Sequence, residues 1–199
     1  MRRLTTGAPG DVVHRVHDKV LGELVLSVLD VDSEAELDTV HDWVTKPRAR
    51  FWGLGELSKE ELRELYRHVD SLPSHHAFLL RRDGHPIALV QSYEPEYDPV
   101  GELYEVHDGD VGVHFFLGDR GAPVAGLTAR VVRLIGDFVF AQPGAQRIVV
   151  EPDIDNDEAI ALMTRIGFTL GPIIDLGHKR ARLAFVDRPG GDAAAGEWS

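Results

Sequence analysis

The stretch from Gly109 to Phe168 constrains the fold more than any other part of the chain. An apolar run, Val111 to Leu117, breaks into a Gly- and Pro-containing segment from Gly118 to Gly126. Leu127, Val131, Leu134, Ile135 and Phe138 then fall at offsets of 0, 4, 7, 8 and 11. That is the stripe of a helix that packs on a core by one face. Arg147-Ile148-Val149-Val150-Glu151 predicts a short buried strand closed by Pro152, after which Asp155 is expected to cap another helix. This second helix would turn Ile160, Met163 and Ile166 inward and stop at Gly167, a common helix C-terminal residue. Strand, loop, helix, strand, helix is an α/β unit. A loop that leaves a strand and opens a helix directs free backbone N–H groups outward, and with the helix dipole behind them they suit a phosphate. The same order of elements also describes a βαβ crossover that binds nothing.

The flanks extend this unit. Residues 1–12 are polar with a Gly-Ala-Pro-Gly cluster and read as a flexible leader. Partial alternation through Leu24, Leu26 and Val28 predicts a strand pair between Val13 and Leu29. Asp32-Ser33-Glu34 opens a helix that runs over Leu37, Val40 and Trp43–Val44 to Pro47. A second helix, Ser58 to Leu72, carries Leu62, Leu65 and Val69 on one face and a Ser58–Glu61 capping box. His76–Leu80 and Ile87–Ser92 flank Asp83-Gly84, a two-residue hairpin signal. Leu170–Asp175 and Ala181–Val186 predict two closing strands, and the tail from 188 to 199 reads as disordered. One domain over 13–187 fits a chain of 199 residues.

Composition narrows the function. A net charge of −12, from 33 acids against 21 bases, argues against nucleic acid or an anionic membrane as partner, since both select a basic footprint. It is compatible with a small cationic substrate, although acidity more often serves only solubility. The absence of cysteine excludes disulfides, thiolate metal sites and a cysteine nucleophile. His75–His76 would face opposite sides of a strand, and no H-x-x-x-H spacing occurs, so no metal is expected. Without an apolar h-region or a run long enough to span a bilayer, the expected location is cytoplasmic.

Two residues could carry proton chemistry. His114 lies in the central apolar run, and an imidazole titrates where removal of a proton from an amine is useful. Glu151 ends the following strand and could orient that imidazole or hold a substrate cation. The competing readings are a satisfied core histidine and a solvated strand-end carboxylate.

The order β-α-α-β-β-β-α-β-α-β-β resembles the GNAT superfamily of N-acetyltransferases, as do Asn156, Ala159–Ile160 and Gly167–Phe168 in the closing helix. The implied fold is a mixed central β-sheet flanked by helices. His41-Asp42-Trp43, Pro47 and Phe51-Trp52 match an H-x-W-x(3)-P-x(3)-FW pattern. Asp98-Pro99-Val100-Gly101, Tyr104 and Gly109-Asp110-x-Gly112-x-His114 match a second signature. Together they resemble the siderophore-biosynthesis branch, which acylates hydroxylated lysine, ornithine or diamine side chains in aerobactin-, mycobactin- or desferrioxamine-type pathways. Aminoglycoside 6′-N-acetyltransferases are similar over the same region, including Gln91-Ser92-Tyr93, but have an acid at the position of His114.

The resemblance implies an acyl-CoA-dependent acyltransferase, with acetyl-CoA or another acyl-CoA as co-substrate, and a small amine or hydroxylamine as acceptor. The acceptors implied are N-hydroxylysine, N-hydroxyornithine or N-hydroxycadaverine, and the protein would be a monomer or homodimer. It makes His114 the general base and Glu151 its partner in a direct attack on the thioester. Phe116, Leu117, Arg120, Ala125, Gly126, Leu127, Thr128 and Asn156 would bind the acyl-CoA. Trp43, Trp52, Gln91, Tyr93 and Tyr104 would line the acceptor side, although Trp43 on an apolar helix face also reads as core. The phosphate loop departs from the family's (Arg/Gln)-x-x-Gly-x-(Gly/Ala): Pro123 to Thr128 keeps one glycine, Gly126, and no leading base. Arg120 and Arg130 could supply the missing charge. Met163 stands where many relatives have a tyrosine. The alternatives are an aminoglycoside or other small-amine acetyltransferase, and a non-catalytic acyl-CoA-binding protein with a degraded loop.

Overall fold

The computed structural model describes residues 7–119 and 124–190. Arg120 and Pro123, expected in the phosphate loop, lie outside the described residues, as do 1–6 and 191–199. The strands are β1 (Val12–Asp18), β2 (Gly22–Val28), β3 (His75–Arg82), β4 (His85–Tyr93), β5 (Asp110–Leu117), β6 (Arg147–Val150), β7 (Thr169–Asp175) and β8 (Arg180–Asp187). The helices are α1 (Glu34–Val44), α2 (Lys59–Ser71), α3 (Leu127–Phe140) and α4 (Asp157–Arg165). The strands hydrogen-bond in the order β1-β2-β3-β4-β5-β6-β8-β7. β5 and β6 are parallel, pairing Val111 with Ile148 and Gly112 with Val149, whereas β6–β8 and β7–β8 are antiparallel. The result is the mixed α/β sheet flanked by helices that the resemblance implies.

Two compact units interleave along the chain. Among the described residues, one holds those up to Ser92 together with Phe115–Asp119 and Val124–Leu127; the other holds Tyr93–His114 and those from Thr128 onward. In the first, α1 and α2 bury Leu37, Val40, Trp43, Val44, Leu62 and Tyr66 against Ala77, Leu79 and Leu89 of the strands. Each such side chain contributes about 1.5–3 kcal/mol when fully removed from water. The Ser58–Glu61 capping box is present: Ser58 Oγ accepts the Glu61 N–H, and Glu61 accepts the Ser58 N–H at 2.8 Å. At α1, by contrast, Ser33 caps without a side-chain bond. Asp30 Oδ1 accepts the N–H groups of Asp32 and Ser33 in the turn that precedes the helix. Asp83 (φ +47) and Gly84 (φ +82) turn β3 into β4 as the Asp-Gly signal predicts.

In the second unit Tyr93, Val100, Val149, Ile174, Ala181 and Leu183 form one apolar cluster. The α3 stripe is buried at Val131, Leu134, Ile135 and Phe138. For α4 the structure corrects two expectations. The cap is Asn156 rather than Asp155, with Asn156 Oδ1 accepting the Ala159 N–H at 3.2 Å. The inward residues are Leu162 and Met163, while Ile160, in the first turn, and Ile166, already the C-cap, lie at the ends of this nine-residue helix and are half-buried. Gly167 (φ +97) ends α4, with the Phe168 N–H returning to the Met163 carbonyl at 3.0 Å.

Ordered structure also extends beyond 13–187 at both ends. The Gly10 N–H donates to the Val28 carbonyl and the Val28 N–H to that of Asp11, so β1 starts within the stretch that reads as a leader. Arg188 donates through Nε to Ala145 O and through Nη2 to Gln142 O, both at 2.7 Å.

Candidate active site

The side chains of β5 alternate, so Gly112, His114 and Phe116 share one face of the strand. His114 Nε2 hydrogen-bonds Glu151 Oε1, the residue directly after β6. Carried two residues further, the parallel register that sets Gly112 beside Val149 brings His114 level with Glu151. The second carboxylate oxygen, Glu151 Oε2, accepts the Tyr93 hydroxyl at 3.0 Å. The Tyr93 ring centroid lies 5.1 Å from that of His114, inclined at 51°.

Gly112 makes this arrangement possible. A Cβ there would lie 2.1 Å from Tyr93 Cζ, so the phenol ring occupies the space a side chain would take. From sequence Tyr93 reads as an acceptor-side residue; the structure shows it bound to Glu151 and 3 % exposed. The signal for this contact was Gly112 within an otherwise apolar strand, which marks a close approach by another group.

Glu151 is 4 % exposed. Burial pushes its carboxyl upward, but the opposing pull of His114, Lys179 and the Tyr93 hydroxyl outweighs it and leaves Glu151 below the ordinary carboxylate value. Lys179, which sequence reasoning missed, also donates through Nζ to the Glu151 carbonyl at 3.3 Å. Tyr93 is held well above the ordinary phenol value, first by burial and then by the Glu151 charge, so its hydroxyl stays protonated as the donor. A carboxylate only accepts, so the His114 ring proton belongs on Nε2 and the basic nitrogen of the neutral ring is Nδ1. Buried and bonded through both oxygens, Glu151 is not a solvated strand-end carboxylate.

Tyr104 donates to Asp110 Oδ2 at 2.9 Å, and its ring lies 5.7 Å from that of Phe185. Asp110 is held by Arg147 through Nε at 2.7 Å and Nη2 at 2.8 Å, a bidentate pair that secures the start of β5. In the first unit Trp43 is 4 % exposed within the apolar cluster, and its ring covers Gly118, where a Cβ would lie 1.8 Å from Trp43 Cδ2. That is the core alternative. Trp52 lies 5.8 Å from Phe116 between ring centroids, and Gln91 Nε2 donates to the Tyr66 hydroxyl at 3.3 Å. Among the described residues no three His, Asp or Glu side chains group as metal ligands, and no helix is long and apolar enough to cross a membrane.

The chain before α3 is described from Val124 onward. Ala125 and Gly126 are exposed, and Gly126 has a φ of +73 with nothing within 4 Å of a Cβ position. Leu127 is buried and its N–H returns to Val124 O, leaving Thr128, Ala129 and Arg130 in the first turn of a 14-residue helix. Leu117 is buried and Phe116 half-buried, while Asn156 uses its Oδ1 as the α4 cap.

Residues 32–176 match the acetyltransferase (GNAT) domain family. The chain belongs to this family. It is 27 % identical over 183 residues to an N(6)-hydroxylysine O-acetyltransferase of Escherichia coli, a match covering 90 % of this chain and 56 % of that protein. It is 32 % identical over 190 residues to an N(5)-hydroxyornithine:cis-anhydromevalonyl coenzyme A-N(5)-transacylase of Beauveria bassiana, covering 91 % of this chain and 40 % of the relative. This GNAT chain thus spans about half the length, or less, of these curated relatives. Among solved structures, the aminoglycoside acetyltransferase AAC(6')-Ib in complex with coenzyme A superposes with a TM-score of 0.72 at 22 % identity, over 83 % of this chain and 95 % of that one. A protein of Bacillus halodurans gives a TM-score of 0.80 at 21 % identity, over 87 % and 89 % of the two chains. Both superpositions show that the chain shares its fold with these proteins.

Proposed function

We propose that this chain is an acyl-CoA-dependent N-acyltransferase for a hydroxylated amine in siderophore biosynthesis, with N-hydroxylysine, N-hydroxyornithine or N-hydroxycadaverine as the acceptor class. The observation that carries the reading is the His114–Glu151 pair with Tyr93 on the second carboxylate oxygen. The hydroxylysine and hydroxyornithine acyltransferases among its relatives support the choice of acceptor.

A hydroxylamine nitrogen is a weak base that is largely unprotonated at neutral pH, so its lone pair is available for attack. As the C–N bond forms and the C–S bond of the thioester breaks, the nitrogen must lose a proton. His114 Nδ1 takes it; Glu151 holds the ring by Nε2 and balances the imidazolium charge. The proton then leaves with the thiol. Acyl-CoA supplies the activated acyl group, and Ala125, Gly126, Leu127, Thr128 and Arg130 would hold its phosphates. Trp52, Gln91 and Tyr104 are assigned to the acceptor side.

Thiol release is the direct test, measured from acetyl-, succinyl- and longer acyl-CoA with each hydroxylamine, its parent amine and one aminoglycoside. Turnover with a hydroxylamine that collapses in His114→Ala is the expected result. Turnover with the aminoglycoside alone would move the chain to a different acceptor class. Acyl-CoA binding without turnover on any acceptor would make it a binding protein.

A further inference from the structure

Tyr66 lies on α2, far in sequence from the motifs that point to chemistry, yet its hydroxyl meets a residue assigned to the acceptor side. It is 2 % exposed within the apolar cluster of the first unit. Gln91 Nε2, from β4, donates to its oxygen at 3.3 Å. A purely packing role would be served equally by phenylalanine. A buried hydroxyl that receives an N–H from a neighbouring strand fixes the side chain that donates it.

The consequence is sharpest at Gln91. A carboxamide has a donating and an accepting end, and which end is offered to a ligand depends on what holds the other. We infer that Tyr66 is a positioning residue for acceptor recognition: by engaging Gln91 Nε2 it leaves Oε1 as the amide atom that receives an N–H or O–H of the acceptor. The inference rests on the acyltransferase reading and on Gln91 serving the acceptor.

Steady-state kinetics with the hydroxylamine acceptor test it, on Tyr66→Phe, Gln91→Met, Gln91→Glu and the double variant that joins Tyr66→Phe to Gln91→Glu. Tyr66→Phe keeps the ring, and a melting curve checks that it folds. It should raise the acceptor KM about tenfold, as loss of one aligned hydrogen bond would, with kcat and the acyl-CoA KM within about twofold. Gln91→Met should do the same. Glutamate accepts at either oxygen and has no amide to reverse, so adding Tyr66→Phe to Gln91→Glu should change the acceptor KM by less than about twofold. The inference is overturned if Tyr66→Phe lowers kcat and leaves KM alone, or if its effect persists undiminished when Gln91→Glu is already in place. It is also overturned if Gln91→Met raises KM but Tyr66→Phe does not. No turnover by the wild type would instead overturn the acyltransferase reading.

Discussion

A histidine bonded through one ring nitrogen to a buried carboxylate is a candidate base held in one orientation, and the two contributions separate by substitution. His114→Ala removes the proposed base and should lower kcat by about 10²–10⁴-fold, with the acyl-CoA KM little changed. Loss of acyl-CoA affinity at unaltered kcat would sink the assignment. Tyr93→Phe keeps the ring beside His114 but removes the donor to Glu151 Oε2. It should reduce kcat less than His114→Ala does, because the phenol reaches the base only through the carboxylate. Gly112→Ala drives a Cβ into the Tyr93 ring, 2.1 Å from Cζ. We expect it to cost about 1–3 kcal/mol of stability by overpacking and to lower kcat as well; a melting midpoint and kinetics equal to wild type would contradict the close approach.

The elements of this chain were legible wherever a periodic stripe and a terminator agreed. The α3 stripe, the α2 capping box and the Asp83-Gly84 turn each combine two local signals, and all three stand in the structure. The α4 start was not legible, because Asp155 and Asn156 are adjacent and equally suited to cap. The choice fell to Asn156 once the Asn156 N–H had closed a turn onto the Asp153 carbonyl. Asn156→Ala should therefore cost about 1 kcal/mol and Asp155→Ala only a few tenths, read from melting midpoints; the reverse order would restore Asp155 as the cap. The candidate site was legible by residue type but not by partnership. His114 and Glu151 stand out as titratable groups in apolar strands, whereas the Tyr93 hydroxyl reaches a carboxylate 58 positions away, a separation at which no local pattern operates. The H-x-W motif shows the converse. His41 bonds the Leu57 carbonyl at 3.2 Å and Trp43 covers Gly118, so part of a functional signature is packing.

For the molecule as a whole, Glu151 links the chemistry to the pH range in which the fold persists. One carboxylate ties the end of β6 to His114 on β5 and to Tyr93 at the end of β4. Burial opposes its charge, and these partners together with Lys179 more than offset that, so its folded value lies below the ordinary 4.5. A depressed carboxylate value contributes stability that is fully present above the unfolded value and is lost as the pH falls through the folded one. The chain carries 33 acids, and at low pH many of them change charge together. The comparison that isolates Glu151 is therefore wild type against Glu151→Gln at each pH, in which the other acids cancel. Wild type should lose its advantage in the urea midpoint progressively as the pH falls below 4.5. If the advantage instead grew as the pH fell below 4.5, burial would have prevailed and Glu151 would be protonated in the fold. The carboxylate would then be unable to balance a charged His114, and both the order of the site and its proposed base would fall together.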